Sequence, residues 1–247
     1  MRLREAMKTM LPDVWVQSIR KLRARRFTRQ CEGLDAQQIF TKIYDEGAWG
    51  RSGDPSRPFF SGSGSHNDAI TATYVQAVRS FLSGVERKLD AVDLGCGDFF
   101  VGAQLRPYCG RYVACDIVPK LIAFNRSRFA DLGVDFRVVN LIDDALPAGD
   151  VAFVRQVLQH LSNAQIAQAI PKIRASYKYL LLTEHLPHTP HFVPNLDKQP
   201  GAGVRTGAGS GVVLTRRPFD LAPLDERMLC EVEEFGGVIR TTLYTLA

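Results

Sequence analysis

The chain has 247 residues, 45% of them apolar and 23% charged, and a formal net charge of +5. That length and balance read as a soluble globular protein, one generous domain with additions and a full core. It holds no apolar run of about eighteen residues, which excludes a transmembrane span, and its charged first twelve residues lack the apolar core of a signal peptide. A cytoplasmic protein is expected. Five scattered cysteines (31, 96, 109, 115 and 230) form no C-x-x-C pair, so reduced thiols are expected, with no disulfide framework and no metal site.

The charge is uneven. Residues 1–30 hold nine Lys/Arg against two Asp/Glu, a local +7, and the remainder holds 22 against 24, a local −2. Within this basic arm Trp15, Ile19, Leu22 and Phe27 fall near one helical face among arginines. Such a helix either lies on an anionic membrane surface, which would make the protein peripheral at the inner membrane face, or packs on the body with a solvated basic side. Basic and aromatic residues do not interleave elsewhere, so no nucleic-acid partner is expected. Oligomeric state is not readable.

After the arm a helix is expected over Asp35–Tyr44, with Asp35 as its N-cap. Trp49-Gly50 and a Gly/Ser/Pro-rich loop follow, closing on Ser61-Gly62-Ser63-Gly64-Ser65 just before a helix over Asp68–Leu82 with Ile70, Tyr74, Val78, Phe81 and Leu82 at helical spacing. Residues 31–85 therefore read as a helical cap with its loop, and the loop's backbone N–H groups as an anion site or a flexible linker. Strands are expected at 89–94, 111–116, 134–139, 150–155 and 178–184. Helices are expected around 101–107, 119–131 and 163–175. Met228–Glu234 and Val238–Leu246 flank Gly236-Gly237 as a closing hairpin. Five strand–helix alternations imply an α/β fold with a parallel, doubly wound sheet across residues 86–247.

The stretch Ala91-Val92-Asp93-Leu94-Gly95-Cys96-Gly97-Asp98-Phe99 runs from a strand into a Gly-x-Gly turn, and Asp116 ends the next strand 21 residues after Gly95. This is the layout of a nucleotide site at the carboxyl edge of a parallel sheet, where the acid meets ribose hydroxyls. A dinucleotide site wants a third glycine, but Phe100 stands there and Asp98 would repel a diphosphate. An acidic glycine turn suits a cationic ligand without phosphates, such as S-adenosylmethionine (SAM).

These residues, with Val113-Ala114-Cys115-Asp116-Ile117, resemble motif I and the second-strand acid of class I SAM-dependent methyltransferases. Phe99 departs from the family's frequent glycine. The resemblance implies a Rossmann-like seven-stranded sheet, mostly parallel, with SAM as cofactor. It further implies that Asp93, Gly95, Cys96, Gly97 and Asp98 line the methionine end of SAM, that Asp116 holds the ribose, and that Ile117, Asn140 and Leu141 meet the adenine. Asp150-Val151-Ala152-Phe153-Val154-Arg155-Gln156-Val157-Leu158-Gln159-His160-Leu161 resembles the family's fourth-strand motif. There Arg155 and Gln156 face the transferred methyl and the acceptor, and His160 is either a base or a structural histidine. Trp49-Gly50 and the Ser-Gly-x-Gly-Ser loop, with Asn195, Asp197, Arg205 and Arg216-Arg217-Pro218-Phe219 further on, resemble a bacterial group of methyltransferase-domain proteins. Trp49 and Ser63 are accordingly taken as cofactor-binding.

Residues 186–220, rich in proline and glycine and without periodicity, read as a substrate loop or lid beyond the fifth strand. Asn195, Asp197 and Arg205 are its candidate substrate contacts, and Glu184 and His185 the candidate catalytic groups at its root. The expected reaction is methyl transfer to a hydroxyl of a small molecule or a glycan, a lipid-linked glycan included. The rivals are a methyltransferase-like binding module without catalysis and an NAD-dependent oxidoreductase.

Overall fold

The computed structural model describes residues 27–189, 191–234 and 236–247. The basic arm falls almost wholly outside the described residues. The chain divides into two compact units, Met1–Asp35 and Ala36–Ala247. Of the first, residues 27–30 form a helical turn whose Phe27 and Thr28 carbonyls both accept the Cys31 N–H.

The second unit is built on seven strands: β1 (Ala91–Leu94), β2 (Tyr112–Asp116), β3 (Asp135–Val138), β4 (Val151–Arg155), β5 (Tyr179–Pro187), β6 (Asp225–Glu234) and β7 (Gly237–Thr245). Their spatial order is β3-β2-β1-β4-β5-β7-β6. The first five pair in parallel, and β7 runs antiparallel between β5 and β6. The order reverses between β1 and β4, which opens a crevice at the carboxyl ends of the parallel strands.

Helices cover both faces. Alternate strand residues Ala91, Tyr112, Ala114 and Phe153 pack with Tyr74, Val78 and Leu82 of α2 (Asp68–Ser83), Leu105 of α3 (Gly102–Leu105) and Ile122 of α4 (Pro119–Arg128). Their neighbours Val92, Val113, Cys115 and Val154 face the opposite way, onto Ile166, Ala169 and Ile173 of α5 (Asn163–Ser176). Every residue of β1 and β2 is buried, as a sheet covered on both sides requires. α1 (Ala36–Glu46) precedes the Gly/Ser loop.

Local chemistry sets the ends. The Asn67 side chain accepts from the Ala69 N–H to start α2, and Ser162 with Gln165 makes a capping box on α5. The helix expected through residue 107 stops at Leu105 and tightens into a 3₁₀ turn over Arg106–Tyr108, where Pro107 offers no N–H. Likewise α4 ends at Arg128, short of 131, and a 3₁₀ turn carries on to Leu132. β5 runs three residues past the expected 184, because β7 pairs with it out to Pro187.

The segment after β5 is packed rather than loose. Val212, Leu214 and Leu221 enter the core beside α5, and a 3₁₀ turn forms at Arg205–Ala208. Among the described residues no helix is long and apolar enough to cross a membrane.

Candidate functional site

β1 leaves the sheet at Gly95 (φ +83°) and turns back through Gly97 (φ +56°), both in the left-handed region that favours glycine. A side chain at Gly95 would press on Val157, with a β-carbon 2.5 Å from its methyl. At Gly97 it would collide with Ser61 Oγ. The turn is fixed from behind: Gly95 and Cys96 N–H groups both donate to the Cys115 carbonyl (2.8 Å each), and Asn125, fully buried, donates to the Gly97 carbonyl (2.7 Å).

Asp116 ends β2 against this turn. Gly97 N–H donates to its Oδ2 (3.1 Å) and Val118 N–H to its Oδ1 (3.0 Å). Ile117 N–H adds a third backbone donor, and since each carboxylate oxygen accepts more than one hydrogen bond, the group still has acceptor capacity for a ribose hydroxyl. Burial pushes the Asp116 pKa up to about 6, against the pull of those backbone donors. Asp93 lies deeper, accepts from the Tyr112 hydroxyl (3.1 Å), and is pushed up by burial to about 7.

Phe99 also adopts a positive φ (+60°) with its ring fully buried, edge-on to Tyr112, Phe129 and Phe136. A backbone conformation normally given to glycine is held here by an aromatic cluster, which accounts for the departure at this position.

The Gly/Ser loop is clamped onto the sheet edge at two points. At one, Ser61 and Asp98 bond reciprocally: Ser61 N–H to Asp98 Oδ2 (3.0 Å) and Asp98 N–H to Ser61 Oγ (2.8 Å). Tyr44 reaches the same hydroxyl (3.0 Å), and His66 Nε2 reaches Asp98 Oδ2 (2.6 Å) with its ring stacked on Phe60. At the other, Arg155 donates to the Gly64 carbonyl (2.6 Å) and Ser65 Oγ (3.0 Å) while lying over the Tyr74 ring. Ser63 serves the loop itself, its carbonyl accepting from His66 and Asn67. Gln156, at positive φ (+55°) just beyond β4, abuts Gly64. A strained residue at a strand's carboxyl end is a mark of functional sites.

An aromatic wall borders the turn. Ile117 packs with Phe40, Tyr44, Trp49 and Phe59, and Trp49 stands 4.9 Å from the His160 ring while donating to the Ala202 carbonyl (3.2 Å). His160 is buried and donates from Nδ1 to the Gly201 carbonyl (3.2 Å). Burial lowers its pKa to about 4. The ring is therefore neutral at pH 7, with its lone pair on Nε2.

Other residues expected at the site are occupied elsewhere. The Asn140 amide builds its own turn, donating to Asp143 (2.7 Å) and accepting from Ile142 N–H (2.9 Å), and Leu141 is buried in the core beside α5. Glu184 accepts from Leu158 N–H (3.1 Å), is pushed up by burial to about 8, and so carries its proton at pH 7. His185 donates to the Glu234 carbonyl (3.2 Å) on the hairpin side. Asn195 ties the long loop together: its amide donates to the carbonyls of Val213, Arg216 and Arg217 and accepts from Val213 N–H. Asp197 accepts from Asn163 N–H at the start of α5 (2.7 Å). Arg205, 2% exposed, donates to the Leu196 and Leu161 carbonyls.

Sequence reasoning passed over Tyr44, Ser61, His66 and Asn125. Position was the available signal for two of them: Ser61 opens the Gly/Ser loop and His66 follows it directly.

The fold and this turn together define a class. Residues 92–178 match the family of the methyltransferase domain. The chain is similar to magnesium protoporphyrin IX methyltransferase from Synechocystis, solved with SAM, at 16% identity and TM-score 0.55, over 86% of this chain and 98% of that one. A SAM-dependent methyltransferase from Leishmania major aligns at 14% identity and TM-score 0.57, over 83% and 82%. The N-methyltransferase NodS from Bradyrhizobium japonicum, solved with S-adenosylhomocysteine, aligns at 15% identity and TM-score 0.54, over 71% and 86%. No curated protein matches the sequence. The chain thus has the fold of SAM-dependent methyltransferases, and its residues 92–178 match the methyltransferase domain.

The residues fit SAM as the cofactor. Asp116 keeps acceptor capacity for a ribose hydroxyl beyond the backbone N–H groups it takes, and the acidic side chains of Asp93 and Asp98 flank the tight Gly95–Gly97 turn beside it.

Proposed function

We propose that the protein transfers the methyl group of SAM to a hydroxyl acceptor, a sugar of a glycan or of a lipid-linked glycan. The observation that carries the reading is Asp116, a buried carboxylate held by Gly97 and Val118 N–H groups against the tight glycine turn. SAM, when bound, supplies a methyl group already activated on a sulfonium. The protein's part is then to hold donor and acceptor in line and to exclude water, and orientation of this kind is worth up to about 7–11 kcal/mol.

The loop clamps serve that purpose. Asp98 and Arg155 hold the Ser61–Ser65 segment over the carboxyl ends of β1 and β4. A hydroxyl must lose its proton as it is methylated, and the group proposed to take it is the His160 imidazole, uncharged at pH 7 but held a weak base by burial, with its Nε2 3.4 Å from the Gln159 amide nitrogen. The protonated Glu184 and the hairpin-facing His185 suit that step less well. The basic arm supports a lipid-linked acceptor, since it would bring the enzyme to an anionic membrane surface.

The test is transfer of labelled methyl from SAM to separate pools of lipid-linked glycans, free sugars and amines. Label in a base-stable ether of a sugar is the expected product, and label only in amines overturns the hydroxyl reading. His160→Gln should lower turnover by about 10²-fold while leaving the SAM Kd unchanged; full activity in that variant removes the base.

A further inference from the structure

A second cavity opens on the helical face, behind the turn rather than at the crevice. Its volume is about 510 Å³, within the range of small-molecule sites. It shares Asp98 with the glycine turn but none of Asp93, Gly95, Asp116 or Trp49. Four phenylalanines, 59, 100, 124 and 129, supply its walls, with Phe59 and Phe124 in contact at 5.5 Å.

Two arginines stand at this aromatic lining. Arg57 lies 5.2 Å over the Phe100 ring and Arg128 5.7 Å over the Phe129 ring. Neither guanidinium makes a hydrogen bond or an ion pair with a described residue, so their donors are free for a ligand. The Asp54 carboxyl is held below its usual pKa first by hydrogen bonds from Ser56 and, to a smaller degree, by Arg57 and Arg128, so both guanidiniums lie within electrostatic reach of it. Asp54 itself accepts from Ser56 N–H.

The carboxylates on the wall do not cancel this. Asp98 is bound by His66, by Ser61 N–H and by its own neighbour Phe100 N–H. Asp68 lies in the first turn of α2, where the helix dipole offsets a negative charge. Aromatic walls select a flat apolar body, and paired free guanidiniums select a sulfonate, phosphate or carboxylate on it.

We propose that this cavity is a second binding site, separate from the SAM crevice, for a small aromatic molecule bearing one anionic group. Because Asp98 and Phe100 belong to both the cavity wall and the segment leaving the glycine turn, an occupant there would stiffen the turn on which SAM rests. The site is independent of the acceptor reading.

Titration calorimetry of the full chain with naphthalene-2-sulfonate tests the assignment, with 2-naphthol as the uncharged control. Saturable one-to-one binding is expected and should persist at saturating SAM. The double variant Arg57→Gln/Arg128→Gln should raise the sulfonate Kd at least about 10-fold and leave 2-naphthol unaffected. Ala103→Leu, which projects into the lining, should weaken both probes while circular dichroism and the thermal midpoint report an intact fold. Absence of saturable sulfonate binding, displacement of the probe by SAM, or an unchanged Kd in the folded double variant would overturn the proposal.

Discussion

The glycine turn and the long segment after β5 meet at the same sheet edge and are built in opposite ways. Around the turn, Val157 and Ser61 close on Gly95 and Gly97 so that no β-carbon fits, while the Asp116 carboxylate retains acceptor capacity beyond the backbone N–H groups it takes. In the segment after β5, polar side chains are saturated by the segment itself. Asn195, Asp197 and Arg205 meet backbone groups, and Trp49 and His160 fasten the stretch around Gly201 and Ala202. One region is prepared for a ligand and the other for its own rigidity. A polar residue on a long loop is thus as able to be a scaffold as a contact, and the count of its filled hydrogen bonds separates the two.

That contrast breaks most visibly at Asn195. Asn195→Ala removes an acceptor and two donors from a buried knot, and should destabilise the protein by about 2–4 kcal/mol in urea unfolding while changing the SAM Kd less than about threefold. A stable variant with weakened turnover would return Asn195 to the acceptor site.

Glu184 gives the next effect. Its folded pKa of about 8 lies above the unfolded value near 4.5, so the folded state holds a proton that the unfolded state releases. Stability should fall as pH rises between those values, at up to about 1.4 kcal/mol per pH unit, and the fall should end above about 8. Glu184→Gln should remove this slope and be the more stable protein at pH 8. An unchanged slope would show that Glu184 is already ionised in the fold.

The smallest effect concerns the clamp. Ser61→Ala loses the bond to Asp98 N–H and the contact with Tyr44. It should cost about 0.5–1.5 kcal/mol of stability and raise the SAM Kd several-fold. No change in Kd would place the Gly/Ser loop outside the SAM site.

Much of this was legible in the residues. The alternation of apolar runs with helical spacing, and the Gly-Gly turn of the closing hairpin, located all seven strands, and the Gly95-Cys96-Gly97 turn and Asp116 meet at the carboxyl edge of the sheet as their spacing implied, because these patterns are local. Strand ends were less legible, since β5 is prolonged by a partner some fifty residues away. The side chains at the edge were less legible still. Whether Asn140 or Arg205 meets a ligand depends on which backbone groups fold back onto it, and spacing in sequence does not carry that. His66 and Asn125 reach Asp98 and Gly97 across some thirty residues, so neither lies in a motif.

The most direct measurement is calorimetric binding of SAM to the wild type and to Asp116→Asn from pH 5 to 8. Asn suits this test better than Ala because it keeps the shape of the side chain and one of the two acceptor oxygens that Gly97 and Val118 N–H groups use. With Asp116 titrating near 6 and able to accept through both oxygens only when ionised, wild-type affinity should rise with pH through that value and level off by about pH 7. Asp116→Asn should bind about 10–100-fold more weakly at pH 7, with no such rise, while circular dichroism reports an intact fold. Equal affinity in the two proteins would contradict the account, because the ribose of SAM would then not rest on Asp116.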